Sequence, residues 1–273
     1  MIGDPLANVV DDLAAIAAGM DTRALLVGAY ARDRCLDTTA TSRGTRDVDF
    51  AVMLNSWGDV DAFFKSCDGA FRDADVADLK MYHRATGVKV DVVPCGQVES
   101  PPGTLALRES TRRLNTLGLA ECFELARPLH ADCPHVLVPP PEGFLLLKLF
   151  AFADRRAPRD LRDVGYVLHR FPVDRNSVWV DSQLMSAFDD GTLDYDDLVY
   201  WTAGRAIATA FSGAAVSRLV EVVDALLRER PFDRVLLVDG IVGLDADARL
   251  TRADRSLAVL HRALAAERQP AAG

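Results

Sequence analysis

Asp47 and Asp49 stand two residues apart in RDVDFAVML, a run rich in Val and Phe that reads as a β-strand over 46–54. Side chains alternate faces along a strand, so the two carboxylates point the same way, while Val48 and Phe50 face the core. Like charges that close repel and raise one another's pKa unless a cation lies between them. Mg²⁺ takes oxygen ligands and is commonly held by one or two carboxylates together with substrate phosphates. A solvated strand edge also accounts for an isolated D-x-D. Asp91, in VKVDVVP, adds to the pattern, because Val88, Val90, Val92 and Val93 flank it on what reads as a largely buried strand. A buried carboxylate without compensation is costly, so it requires a cation, an ion pair or several donors. Two partners are open: a metal ion shared with Asp47 and Asp49, or Lys89, two residues away on the same face. In two-metal phosphoryl transfer, one ion activates the attacking oxygen and the other steadies the leaving pyrophosphate.

The elements that must position these groups begin with a helix over 5–18, where Leu6, Val9, Val10, Leu13 and Ile16 recur at helical spacing after Asp4-Pro5. ALLVG at 24–28 reads as a short buried strand ended by Gly28, and 29–36 as the helix that follows. A glycine at such a junction lets the N–H groups of a helix N-terminus approach a phosphate closely, although an ordinary turn also explains it. Arg32 lies about one turn into that helix and could reach the same phosphate. Trp57 to Cys67 reads as a helix, and 83–94 as two hairpin arms around Thr86-Gly87, ended by Pro94. Residues 96–135 are irregular, with one or two strands around 116–127. From Pro139 the period becomes helical, over 142–154, 158–170, 194–210, 214–229 and 251–266. The run at 235–238 fits a helix end or a short strand. The expected architecture is therefore α/β (α+β), a sheet domain over 1–135 followed by a mostly helical domain over 136–273.

The chain has 273 residues, of which 49% are hydrophobic and 26% charged, enough to bury a substantial core. Its formal charge of −9 argues against wholesale coating of nucleic acid and leaves room for transient contact through a local basic face. Five cysteines without a CxxC pair argue against a thiolate zinc site or a disulfide framework and fit a reducing compartment. The N-terminal MIGDPLANVVDDL is acidic where a signal peptide would be basic, and GFLLLKLFAFA is too short to span a bilayer, so the expectation is a soluble, cytoplasmic protein. The five histidines lack metal-ligand spacing and read as structural. No G-x-S-x-G, P-loop or G-x-G-x-x-G is present, which argues against the common hydrolase, NTPase and dinucleotide readings.

Taken together, LLVGAYARDRCL, TRDVDFAVMLNSW, KVDVVPCGQVE and LLLKLFAFADRRAPRDLRDVGYVL resemble the AbiEii/AbiGii family of nucleotidyltransferases over roughly residues 20 to 170. The resemblance implies a DNA polymerase β-like nucleotidyltransferase fold with a helical C-terminal part. It also implies Mg²⁺ (or Mn²⁺) on Asp47, Asp49 and Asp91, and an NTP whose phosphates meet Gly28, Ala29, Arg32 and Lys148. Lys148 interrupts an apolar helix, so its ammonium either snorkels to the surface or turns inward toward a charge. Asp160 and Asp163 share a helical face. Carboxylates after Pro158 suit a helix N-terminus, and the family likeness makes one of them a base or orienting group. Where the wider superfamily has Gly-Ser, this chain has Gly28-Ala29, so a phosphate-binding hydroxyl is missing; Ser42 and Thr45 are nearby substitutes. Arg108, Arg112, Arg113, Arg155, Arg156, Arg159 and Arg162 offer a basic rim for an acceptor. The family's members are toxins of toxin–antitoxin and phage-defence modules, which implies an RNA acceptor, tRNA foremost, and a cognate antitoxin. A small molecule or protein side chain as acceptor, or a degenerate module that binds nucleotide or RNA without turnover, are the alternatives.

Overall fold

In the computed structural model, residues 5–36, 47–108, 110–174, 182–229 and 231–266 are described, and they form two compact units, Met1–Phe144 and Leu145–Gly273. Ser42 and Thr45 lie outside the described residues.

The first unit is built on a seven-stranded mixed sheet of order β3-β4-β5-β2-β1-β9-β8. Its strands are β1 (Ala24–Val27), β2 (Asp47–Met53), β3 (Phe71–Asp75), β4 (Lys80–His83), β5 (Lys89–Cys95), β8 (Arg127–His130) and β9 (Cys133–Val138). Helix α1 (Pro5–Gly19) packs on β9, β1 and β2 through Val9, Val10, Leu13 and Ala17, the stripe its helical spacing predicts. Helix α2 (Gly28–Cys35) follows β1 without a loop, as LLVG followed by a polar run requires. Ser56 caps α3 (Trp57–Ser66) by accepting from the Asp59 amide, and Val60, Phe63 and Phe64 are its buried face. In β2 the alternation is strict at the start: Val48 and Phe50 are fully buried and Asp47 and Asp49 half-buried.

Three expectations for this unit need correction. The first hairpin arm is Lys80–His83 and precedes the expected start, with the turn closed by His83 N donating to Val88 O and Gly87 N to His83 O. The second arm runs through Pro94 to Cys95; β4 pairs with β5 only over Lys89–Asp91, so the missing N–H of Pro94 breaks no bond to β4. The strands expected around 116–127 are largely a helix, α4 (Leu119–Leu125), whose buried Leu119, Cys122 and Phe123 carry helical spacing, followed by β8. A separate two-stranded sheet joins β6 (Thr104–Ala106) to β7 (Arg113–Asn115).

The boundary between units falls one turn into α5 (Pro141–Arg155). The second unit continues with α6 (Pro158–Leu168) and helices Ser182–Asp189, Leu198–Ala210, Gly213–Glu229 and Ala246–Ala266. The helix expected to start at 194 begins instead with a 3₁₀ turn, Tyr195–Asp197, closed by a reciprocal box between Asp194 and Asp197. The run at 235–238 is a helix end rather than a strand: a 3₁₀ turn that continues directly from the short helix Pro231–Arg234 and buries Leu237 and Val238. That turn lies directly on α6: a methyl at Gly165 would stand 2.2 Å from the Leu237 carbonyl oxygen. His169, at the end of α6, shares the same carbonyl through Nε2 at 2.9 Å, and its Nδ1 accepts from the Tyr200 hydroxyl at 3.0 Å.

Because the obstruction at Gly165 is backbone, Gly165→Ala cannot be absorbed by a rotamer change, and a loss of about 1–3 kcal/mol follows. Chemical denaturation of the full chain measures it, and an unchanged midpoint would show that the 3₁₀ turn does not sit on α6.

Candidate active site

β2 and β5 are parallel neighbours, and their register sets Asp49 opposite Asp91 and Asp47 opposite Lys89. Each of Asp47, Asp49 and Asp91 offers a carboxylate oxygen, and the three lie within 4.8 Å of one another. The DxD spacing places two of them on one face, and the neighbouring strand supplies the third. On the other side of β2, Val27 of β1 is opposite Asp49, and the next residue, Gly28, opens α2. The Asp49 carboxylate leans over that junction, for a Cβ on Gly28 would stand 1.8 Å from Asp49 Oδ2. Gly28 also has φ +69°, the left-handed region that favours glycine. Two independent constraints thus demand glycine here, and the first of them is the site itself.

Lys89 Nζ donates to Asp91 Oδ2 at 2.7 Å, with the two side chains 39% and 33% exposed. The hydrogen bond to Asp91 raises the Lys89 pKa, its partial burial opposes this, and the charges of Asp91, Asp49 and Asp47 reinforce it. Of the two partners left open for Asp91, Lys89 is hydrogen-bonded to it, and the carboxylates of Asp47 and Asp49 stand close enough to share a cation with it. Lys80 of β4 stands opposite Asp91 on the other flank and pairs with Asp78.

The remaining candidates are placed as follows. Ala29 is half-buried in the first turn of α2. Arg32 is 2% exposed and closes a fork on the adjacent Asp33, Nε to Oδ1 at 2.9 Å and Nη2 to Oδ2 at 3.2 Å. In the second unit, Lys148 turns inward rather than snorkelling: its Nζ donates to Asp160 Oδ1 at 3.1 Å and Asp163 Oδ2 at 3.0 Å, with all three side chains buried. Arg155 adds a second cation, its Nε donating to Asp160 Oδ2 at 2.7 Å and its Nη2 to Oδ1. Burial works against ionisation of Asp160, but the Arg155 fork and the Lys148 charge outweigh it and hold the carboxyl below its ordinary value. The cluster is thus paired internally by hydrogen bonds from both cations.

Arg155 was legible in sequence only as one of seven arginines; its bidentate grip on Asp160 needed the structure. Two others of that set, Arg108 and Arg162, are engaged by Asp61 and Asp239 at 2.8 and 2.9 Å. The histidines are structural where their contacts are described: His83 binds Asp12 and Thr86, His135 the Thr22 carbonyl, and His261 Asp224. Burial pushes the Cys35 and Cys67 thiols up to about 12, which removes them as nucleophiles.

Lys148→Met would remove the ammonium that bridges Asp160 and Asp163 and leave Asp160 with the Arg155 fork, at a cost of about 3–5 kcal/mol near neutral pH. The sign with pH follows from the depressed Asp160 pKa. In the wild type the contribution is complete above the ordinary value of 3.8 and is lost as pH falls through the lower folded value. In the variant Asp160 has one cation fewer and takes up its proton at a higher pH than in the wild type, so the deficit should narrow on acidification. Urea titrations of both proteins at neutral and mildly acidic pH decide this, and a small, pH-independent loss would contradict the pairing.

The family model described as nucleotidyl transferase AbiEii toxin, type IV toxin–antitoxin system, matches residues 12–233. No curated protein matches the chain by sequence. Among solved structures, similarity extends to ANT(2")-Ia in complex with adenylyl-2"-tobramycin, at 13% identity and TM-score 0.43, covering 70% of this chain and all of that one. It extends also to an antigenic nucleotidyltransferase-like protein from Paracoccidioides brasiliensis, at 17% identity and TM-score 0.42, covering 78% of this chain and 96% of that one. With the greater part of its length matched by the family model, including both aspartate strands and the Lys148–Asp163 segment, the chain belongs to the AbiEii nucleotidyl transferase toxin family of type IV toxin–antitoxin systems.

Proposed function

We propose that this chain transfers a nucleotidyl group from an NTP to the 3′ hydroxyl of an RNA, tRNA foremost, and thereby acts as the toxin of a toxin–antitoxin or phage-defence module. The observation that carries the reading is the β2–β5 register, which gathers Asp47, Asp49 and Asp91 within 4.8 Å beside the Gly28 junction.

The donor set fits a hard divalent cation. All three ligands are carboxylate oxygens, they are half-buried, and the missing side chain at Gly28 leaves Asp49 room to lean inward. Asp47, Asp49 and Asp91 would hold Mg²⁺ or Mn²⁺, which when bound neutralises phosphate charge and acidifies the attacking hydroxyl. Helix α2 opens at Gly28 directly beside the Asp49 carboxylate; its first N–H groups are assigned to the triphosphate, which with Ala29 in place of serine would be held by backbone rather than by a hydroxyl. Asp91, which alone of the three comes from β5, is the carboxylate assigned to orient the acceptor oxygen. Bond formation between that oxygen and the α-phosphorus, with departure of pyrophosphate, is then chiefly a matter of position and charge.

In the second unit, Lys148 is assigned to a nucleotide phosphate, with Asp160 and Asp163 orienting its ammonium. Arg32 could serve a phosphate only by exchanging its contacts with Asp33. A cognate antitoxin and a cytoplasmic site of action accompany the RNA-directed reading. Among the described residues no helix is long and apolar enough to cross a membrane.

Incubation of the purified protein with total RNA, Mg²⁺ and each α-labelled NTP in turn tests the proposal. Label should enter a discrete RNA band, and Asp49→Asn should lower incorporation on the order of a hundredfold or more, the scale of removing one charge-stabilising group. Label in small molecules or protein instead would remove the RNA acceptor and keep the transferase. Nucleotide binding without any transfer would replace the enzyme with a binding module.

A further inference from the structure

Three carboxylates within 4.8 Å are unstable as a bare anionic cluster, and the fold must hold them before any cation arrives. The Lys89 ammonium is hydrogen-bonded to this cluster, 2.7 Å from Asp91 Oδ2. Its placement follows from topology. Lys89 and Asp91 are two apart on β5 and share a face, and parallel pairing with β2 sets Lys89 opposite Asp47 while Asp91 sits opposite Asp49. The ammonium is therefore flanked by the negative charge of the whole cluster. It is also 39% exposed, so it can swing into solvent at small cost, unlike Lys148, whose ammonium is buried between two aspartates.

We propose that Lys89 is a built-in counter-ion of the site: its ammonium holds Asp91 beside Asp47 and Asp49 in the metal-free protein and is displaced from Asp91 Oδ2 when a divalent cation binds. Lys89 is thus a positioning residue whose charge sets the metal affinity. It keeps the three oxygens assembled in the absence of metal, and it opposes the incoming cation because the same oxygen and the same field serve both. This rests on the reading of Asp47, Asp49 and Asp91 as metal ligands.

Mn²⁺ binding to the full-length protein, followed by electron paramagnetic resonance or calorimetry without nucleotide, separates the two ideas. Lys89→Gln removes the charge and should tighten Mn²⁺ binding by about tenfold, the size of one unit charge acting on a divalent ion from about 6 Å with the water-like screening expected of a part-exposed ammonium. Lys89→Arg keeps the charge and should remain within about twofold of wild type. Thermal unfolding supplies the second readout: Lys89→Gln should melt below wild type in chelator, and saturating Mn²⁺ should raise its midpoint more than that of wild type. If wild type binds Mn²⁺ and Lys89→Gln binds it no more tightly, the counter-ion role is wrong and the metal site stands. If wild type and Lys89→Gln both fail to bind Mn²⁺ while folded, the metal reading falls and the inference with it.

Discussion

Electrostatic repulsion among Asp47, Asp49 and Asp91 is the constraint around which the first unit is organised. Three acidic oxygens within 4.8 Å are tolerable only where the backbone leaves no alternative and some positive charge stands close. Strand pairing provides the first condition. Asp47 and Asp49 share a face because side chains alternate, and the fully buried Val48, Phe50 and Val52 prevent β2 from slipping by a residue, which would send the carboxylates into the core. Parallel pairing with β5 then fixes Asp91, and the Val27–Asp49 pairing with β1 brings Gly28 under the Asp49 carboxylate. The site is accordingly a property of three adjacent central strands rather than of loops, which suits chemistry that depends on position.

The second unit solves a related problem in the opposite way. Asp160 and Asp163 are buried more deeply than the β-strand aspartates, yet they are matched inside the protein by Lys148 and Arg155. Such a buried network contributes little net stability, but removing one member is costly because the remaining charge has no solvent to turn to. One cluster is half-exposed, with Lys89 on Asp91; the other is enclosed, with its carboxylates paired to Lys148 and Arg155. The same residue types therefore sit in two electrostatic settings, and burial distinguishes them.

Much of this was readable from residue order. The D-x-D on a Val- and Phe-rich strand, Asp91 on a second Val-rich strand and the glycine after ALLV specify the triad, because period-two alternation and burial are local properties. What could not be read was which strands lie together: nothing local in VKVDVVP states that β5 pairs in parallel with β2 at the register Asp49–Asp91. The sequence offered Lys89 as a rival to metal for Asp91, whereas the structure shows it beside a cluster that also has metal-ligand geometry. Helix α4 was mistaken for strand because its seven residues are too few for periodicity to separate the two forms. The inward turn of Lys148 depends on Asp160 and Asp163 meeting it from α6, while Arg155 closes on Asp160 from the end of α5 itself, a tertiary fact with no local signature.

The most direct test of the central claim is anomalous X-ray diffraction from crystals of the protein grown with Mn²⁺ and a non-hydrolysable NTP analogue. A Mn²⁺ peak at bonding distance from Asp47, Asp49 and Asp91, with the analogue's phosphates beside Gly28, is the predicted result. A peak coordinated elsewhere, or an analogue bound away from the β1–α2 junction with the three aspartates unligated, would contradict it.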